Sequence, residues 1–320
     1  MTLDALSLVL LLLLGLGVAL LVAPLEALAW WAGWYDEATS PSETSSAPPN
    51  FQVAPRDSAQ NPTHYVIFLD GISKGSYRDL DYITDFLVAL QNALPESRII
   101  SGILPYSVFN LELTSRDYPF SRFWSWVEGR KFAGNPVGYL INLRNLLQVM
   151  VSADWRYGPL YNVGMTKLIL KYLLRGGYGH RGAEASRKSV TLVGYSGGGQ
   201  VAAGVAPLLA RTLKVPVKVV SVAGVMAGNA DFTGVERWVQ VVSDRDPVEK
   251  LGAVVFPLRW RLAWFSPWNR AKRRGVVKLE RLDGARHDGR GSYMDKRAPT
   301  YGERSRLERT VEIVARTVEA

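Results

Sequence analysis

A serine hydroxyl is a weak nucleophile until the chain lifts it clear of its surroundings and sets it against a base. Residues 190–198 read Val-Thr-Leu-Val-Gly-Tyr-Ser-Gly-Gly, an apolar run entering a G-x-S-x-G turn centred on Ser196. Gly194 and Gly198, two residues to either side, keep Cβ atoms out of a turn where they would meet a neighbouring strand or helix. The pattern recurs by chance, so its flanks carry its weight. Residues 189–193 are β-rich, and residues 200–213 (QVAAGVAPLLARTL) have the Ala, Leu and Val content of a buried helix. The spacing predicts a serine on a strand-to-helix turn.

Candidate acids and bases follow. Strands are predicted at 217–222 (VKVVSV) and at 237–242 (RWVQVV), the second running into Ser243-Asp244-Arg245-Asp246-Pro247-Val248. A third, at 276–282 (VVKLERL), enters Asp283-Gly284-Ala285-Arg286-His287-Asp288-Gly289. The chain has three histidines, His64, His180 and His287. Only His287 lies in a Gly-rich loop at the C-terminal end of a strand, where parallel sheets place ligands and catalytic groups. His64 starts a strand and His180 sits in a Gly/Arg loop, positions that read as structural or solvated. Asp246 precedes Pro247 and also reads as the cap of a short helix over 248–251, with Asp244 as the competing acid.

Stepping upstream, residues 64–69 (HYVIFL) form an apolar strand that leads into Asp70-Gly71-Ile72-Ser73-Lys74-Gly75-Ser76. A helix over 80–94 and a strand over 98–103 continue the alternation. Six strands alternating with helices predict an α/β fold, a mostly parallel sheet with helices on both faces.

On Gly194-Tyr195-Ser196-Gly197-Gly198, Asp246, His287 and the Asp70-Gly71 loop, the chain resembles the α/β-hydrolase superfamily in its lipase, esterase and thioesterase branches, over roughly residues 63–320. The resemblance implies Ser196 as nucleophile, His287 as general base, Asp246 as its orienting acid, and the backbone N–H groups of Ile72 and Gly197 as oxyanion donors. The chain departs from the pattern twice. No pair of antiparallel strands is evident in the sequence before His64, and the loop after the first strand reads Asp-Gly-Ile instead of His-Gly.

The insertion at about 105–188 occupies the place where such enzymes carry a cap or lid. It holds predicted helices at 137–152 and 160–174 behind an aromatic stretch, YPFSRFWSWVEGRKF, at 118–132. Aromatic and Leu-rich surfaces there would make an apolar acyl pocket. A larger fold core without a mobile lid is the competing reading. Residues 302–318 place Leu307, Val311, Ile313, Val314 and Val318 on a helical repeat that closes one face of the sheet.

At the N-terminus, residues 5–23 (ALSLVLLLLLGLGVALLVA) run for 19 residues without a charge, the length of a membrane-crossing helix. Trp30, Trp31 and Trp34 follow, as at a membrane–water boundary. Residues 1–35 are therefore expected to be a retained single-pass anchor. Secretion after signal cleavage near Ala29 is the alternative, disfavoured by an n-region (MTLD) without Lys or Arg and by the length of the apolar run. Neither flank carries a nearby basic residue, so the side of the membrane stays open. Residues 36–62, rich in Ser, Thr and Pro, read as a linker to a catalytic domain over 63–320, long enough for a large core.

Charge is uneven. Residues 1–55 contain no Lys or Arg and five acids, so all 38 basic residues and 24 acids lie in 56–320, a net of +14. Residues 259–274 (RWRLAWFSPWNRAKRR) interleave cations with aromatics, a composition suited to anionic lipid headgroups. The bland alternative is a soluble amphipathic loop whose tryptophans pack inward. Nothing resembles a nucleic-acid-binding module. No cofactor is expected: the 71–76 loop has the wrong glycine spacing for a Walker A motif, and no His/Asp spacing suggests a metal site. The absence of cysteine removes disulfides and thiol nucleophiles together.

The resulting expectation is a membrane-anchored serine hydrolase that cleaves carboxylic ester bonds of an apolar, lipid-like acyl substrate. Acyl transfer on the same three residues, and an inactive hydrolase-fold module that binds lipid or a protein partner at the membrane, are the alternatives.

Overall fold

HYVIFL forms β1 (His64–Leu69), flanked in parallel by β2 (Ser97–Ile103) on one side and β3 (Ser189–Tyr195) on the other. The computed structural model describes residues 14, 62–71, 77–103, 151–179, 188–299 and 304–320. Beyond β3 come β4 (Val217–Val222), β5 (Val235–Val242) and β6 (Val277–Arg281), giving the order β2-β1-β3-β4-β5-β6 with every pairing parallel. β4 is buried along its whole length, and β1 and β3 at every residue after the first, as a parallel sheet covered on both faces requires. The six predicted strands are present, with ends displaced by one or two residues.

The helices are α1 (Tyr77–Ala93), α2 (Gly158–Arg175), α3 (Gly198–Leu213), α4 (Pro247–Val255), α5 (Pro267–Arg273) and α6 (Arg306–Glu319). Alternate residues of β1 feed two cores, following the two-residue period of a strand. Tyr65, Ile67 and Leu69 pack in one core with α2, α3 and α5, while Val66 and Phe68 join α1 and α6 in the other. Leu307, Val311, Val314 and Val318 make the buried stripe of α6. Its start is set at Ser305 by a capping box with Glu308, three residues later than the sequence pattern begins.

α2 corrects part of the cap expectation. Tyr161, Met165, Ile169 and Leu173 fall four residues apart on one face and are buried in the β1–α3 core, so this helix belongs to the fold core. The aromatic stretch 118–132 and most of the helix predicted at 137–152 lie outside the described residues, as do Ile72, His180 and the 36–61 linker. So does the apolar segment 5–23 except for Leu14, which is helical. Among the described residues no helix is long and apolar enough to cross a membrane.

The chain leaves β1 for β2 on one side and returns to β3 on the other. The crevice at the carboxyl ends of β1 and β3 is thus the topological switch point, where open α/β sheets place their ligands. Asp70 and Gly71 follow β1 there, and Ser196 follows β3.

Candidate active site

Ser196 sits in the left-handed region, at φ +53°, directly between β3 and α3. Neighbouring chain holds it in that conformation. Its N–H donates to Val222 O at 3.0 Å, and its carbonyl accepts from Gly199 N and Val225 N, both at 3.0 Å. Both glycines of the motif are sterically required. A Cβ on Gly194 would stand 2.6 Å from Gly198 O, and one on Gly198 would stand 2.2 Å from Leu69 O. The turn therefore packs against the end of β1 only with hydrogen at these positions.

His287 Nε2 lies 2.8 Å from Ser196 Oγ. The loop after β6 that carries it closes on itself: Arg286 N donates to Gly291 O at 2.8 Å, and Ser292 N to Gly289 O at 3.1 Å. Arg306, from the first turn of α6, adds a 2.6 Å bond to Gly291 O. Tyr195, the residue before the serine, donates its hydroxyl to the backbone carbonyl of His287 and stacks on the imidazole with ring centroids 5.9 Å apart.

His287 Nδ1 lies 3.0 Å from each carboxylate oxygen of Asp246. A carboxylate only accepts, so Nδ1 carries the proton in the neutral ring and Nε2 is left to accept from the serine hydroxyl. Asp246 is fully buried. Its Oδ1 accepts from Val248 N at 2.9 Å and Glu249 N at 3.0 Å, and its Oδ2 from the Tyr293 hydroxyl at 3.2 Å. It is thus the N-cap of α4 and the partner of His287 at once, so the two readings of this acid coincide. The N-terminal end of the α4 dipole and these donors supply what a buried carboxylate needs. Burial, and then the neighbouring Asp246 charge, push the Tyr293 hydroxyl well above its ordinary pKa, which keeps it a donor.

Asp244, the competing acid, is turned elsewhere. Its Oδ1 accepts from Gly284 N at 2.5 Å, and that bond chiefly holds its carboxyl below the usual range. His64 lies at the opposite, N-terminal end of β1 with Nδ1 2.5 Å from Ser189 Oγ, its pKa lowered by burial and then by Lys218.

Gly71 packs on Ser196: a Cβ there would stand 2.9 Å from Ser196 Cβ. The Asp70 carboxylate accepts from Gly71 N at 2.7 Å and tightens the same turn. Gly197, next after Ser196, is the N-cap of α3, at the positive end of that helix.

Sequence reasoning missed three supports of this cluster. Tyr195 is the variable position of the motif, so spacing alone gives it no role. Tyr293 reads as one aromatic among many, and only the fold brings it to Asp246. Glu249, whose N–H caps onto Asp246, pairs with Arg259 at 2.7 Å, both side chains being buried. Arg259 in turn lies over the Trp268 ring, 5.5 Å from its centroid. Among the described residues no group of three or more His, Asp or Glu could hold a metal ion.

The turn at Ser196 follows a central strand, and Asp246 and His287 come after it in the chain and converge on it in space. The fold is of α/β-hydrolase type. No family model matches the sequence, and no curated protein sequence matches it. Solved structures similar to it include two hydrolases. A predicted CIB-like hydrolase from Thermoplasma acidophilum has a TM-score of 0.33 and 13% identity, covering 81% of this chain and 87% of that one. LpqC, a poly(3-hydroxybutyrate) depolymerase from Bordetella parapertussis, has a TM-score of 0.36 and 16% identity, covering 78% of this chain and 84% of that one. At this level of similarity, the function of this chain rests on its own geometry around Ser196.

Proposed function

We propose that the chain is a membrane-anchored serine hydrolase that cleaves carboxylic ester bonds of an apolar, lipid-like acyl substrate, with Ser196, His287 and Asp246 as its catalytic triad. The observation that carries the proposal is the 2.8 Å contact between Ser196 Oγ and His287 Nε2 on a left-handed elbow, with Asp246 on the far ring nitrogen.

Ser196 Oγ attacks the acyl carbonyl while His287 Nε2 takes its proton. Asp246 holds the ring in the tautomer that accepts this proton and balances the imidazolium that results. The negative charge on the carbonyl oxygen is met by backbone N–H groups, assigned to Gly197 and Ile72. The C–O bond then breaks, and the alcohol leaves with the proton from Nε2. Water then attacks the acyl carbon as it loses a proton to Nε2; the acyl C–Oγ bond breaks, Nε2 returns the proton to Ser196 Oγ, and the acid leaves.

The charge-free segment 5–23 and the Trp30–Trp34 cluster support a retained anchor, and the aromatic stretch 118–132 supports an apolar acyl group. A fluorophosphonate probe should label detergent-solubilised wild type and fail on Ser196→Ala and His287→Ala. Graded p-nitrophenyl esters would then rank acyl length. Labelling indifferent to Ser196, or absent under conditions that label a control hydrolase, would overturn the assignment. Carbonate-resistant membrane association that survives in full after deletion of residues 1–35 would overturn the anchor.

A further inference from the structure

Between Glu249 and Glu280 the chain carries eight basic residues and no acid. This stretch is also where large apolar side chains reach the surface. On α4, Val248, Leu251 and Val255 lie three and four residues apart and form one exposed face, beside the strip where Glu249 and Gly252 are buried. The connection to α5 then exposes Trp260, Leu262, Trp264 and Phe265, with Leu262 86% and Trp264 68% accessible. Soluble surfaces rarely gather so many apolar side chains in one place unless something covers them.

The loop that presents them is firmly held. Asn269 Nδ2 donates to Trp260 O at 2.8 Å and to Ala263 O at 2.9 Å, and Trp260 Nε1 donates to Val254 O at 2.9 Å. Arg273 adds a 2.8 Å bond to Trp264 O. Underneath, Trp268 is buried edge-on against Trp238, with centroids 6.2 Å apart. One tryptophan of the RWRLAWFSPWNRAKRR stretch therefore anchors the loop inward, while Trp260 and Trp264 are directed out. Exposed Arg261, Arg270, Arg273 and Arg274 accompany the apolar tips.

We propose that α4 and the 256–274 segment form a docking face for a membrane leaflet that contains anionic phospholipid. Rings and aliphatic tips enter at headgroup depth, and the guanidinium groups meet lipid phosphates. Charge complementarity selects this occupant. A nucleic acid would leave Leu251, Val255 and Leu262 in water, because an aliphatic side chain gives a base no aromatic face to stack on. Because α4 begins at Asp246, docking sets the Ser196 site beside the bilayer. The face itself stands independently of the hydrolase assignment, since vesicle contact does not read catalysis.

The chain has no cysteine, so a single one can report position. Full-length Leu262→Cys, labelled with an environment-sensitive NBD fluorophore, would be reconstituted into phosphatidylcholine vesicles with and without phosphatidylglycerol. Val88→Cys on α1, across the sheet from α5, is the control. The 262 probe should blue-shift and be quenched by nitroxide lipid in phosphatidylglycerol vesicles, while the 88 probe stays in water. About 1 M salt, which shortens the screening length to about 3 Å, should weaken the response. Arg270→Glu/Arg274→Glu should abolish it without altering circular dichroism. Matching behaviour at 262 and 88, or equal responses with and without phosphatidylglycerol, would overturn the proposal. A response at 262 in protein that takes no fluorophosphonate would leave the docking face standing and remove the hydrolase.

Discussion

Gly71 and Ser196 touch across the crevice between β1 and β3: a Cβ on the glycine would stand 2.9 Å from the Cβ of the serine. The Asp70-Gly71 turn is thereby fitted to Ser196, and the conformations of Gly71 and the serine are set together.

Gly71→Ala should therefore displace the serine from His287. A misplacement of this kind costs about 10²-fold in rate, and the overpacking costs about 1–3 kcal/mol of stability. The rate of fluorophosphonate labelling and the urea midpoint measure the two effects. Labelling at the wild-type rate would show that the loop yields instead.

The double duty of Asp246 can be separated by choice of substitution. Asp246→Asn keeps an acceptor for the α4 N–H groups but loses the charge that orients His287. Ester turnover should fall on the order of 10⁴-fold, with stability within about 1 kcal/mol of wild type. Asp246→Ala should lose the same activity and, in addition, about 1–2 kcal/mol from the missing cap. Asp244→Asn touches the bonds from Gly284 N and Ser243 Oγ, neither of which reaches His287, and should leave turnover within a few-fold. Equal losses at the two aspartates would contradict the assignment.

Glu249 and Arg259 form a buried pair beside that cap. Arg259→Leu strands the glutamate and should cost about 3–5 kcal/mol in urea unfolding. Glu249→Leu/Arg259→Leu removes both charges and should recover most of the loss. A double variant as unstable as the single one would mean that the guanidinium matters for packing on Trp268.

Alkaline stability should report the buried tyrosines. Burial raises the Tyr161 hydroxyl, and burial with the Asp246 charge raises that of Tyr293. In the unfolded chain both ionise near pH 10. Stability is thus complete below pH 10 and falls as pH rises past it, because the native state keeps protons that the unfolded chain releases. The slope is about 1.4 kcal/mol per pH unit for each such tyrosine. Tyr161→Phe should flatten the fall by one share, and an unchanged slope would show that the hydroxyl is not titrating in this way.

Much of the fold was legible because its signals are local. A parallel strand covered on both faces must be apolar throughout, so HYVIFL, SVTLVGY and VKVVSV stand out from their flanks. The glycines of the turn are demanded by contacts within a few residues and by the end of β1. The α6 stripe repeats with the helix. Such patterns need no knowledge of partners.

The amino-acid sequence by itself determined the alternation of strands and helices, the turn that carries Ser196 and the chain order of Ser196, Asp246 and His287. Tertiary structure alone brought residues 91 and 41 positions apart into contact, and it chose between two acids only two residues apart. Asp244 and Asp246 share one loop and one chemistry. They differ because Asp246, as the cap of α4, turns inward to that helix's N–H groups while Asp244 reaches out to Gly284. The roles of Tyr195 and Tyr293, the inward turn of Trp268 against the outward Trp264, and the place of α2 in the core were set the same way. Each depends on what stands opposite in space, and a linear pattern of residue types does not encode that.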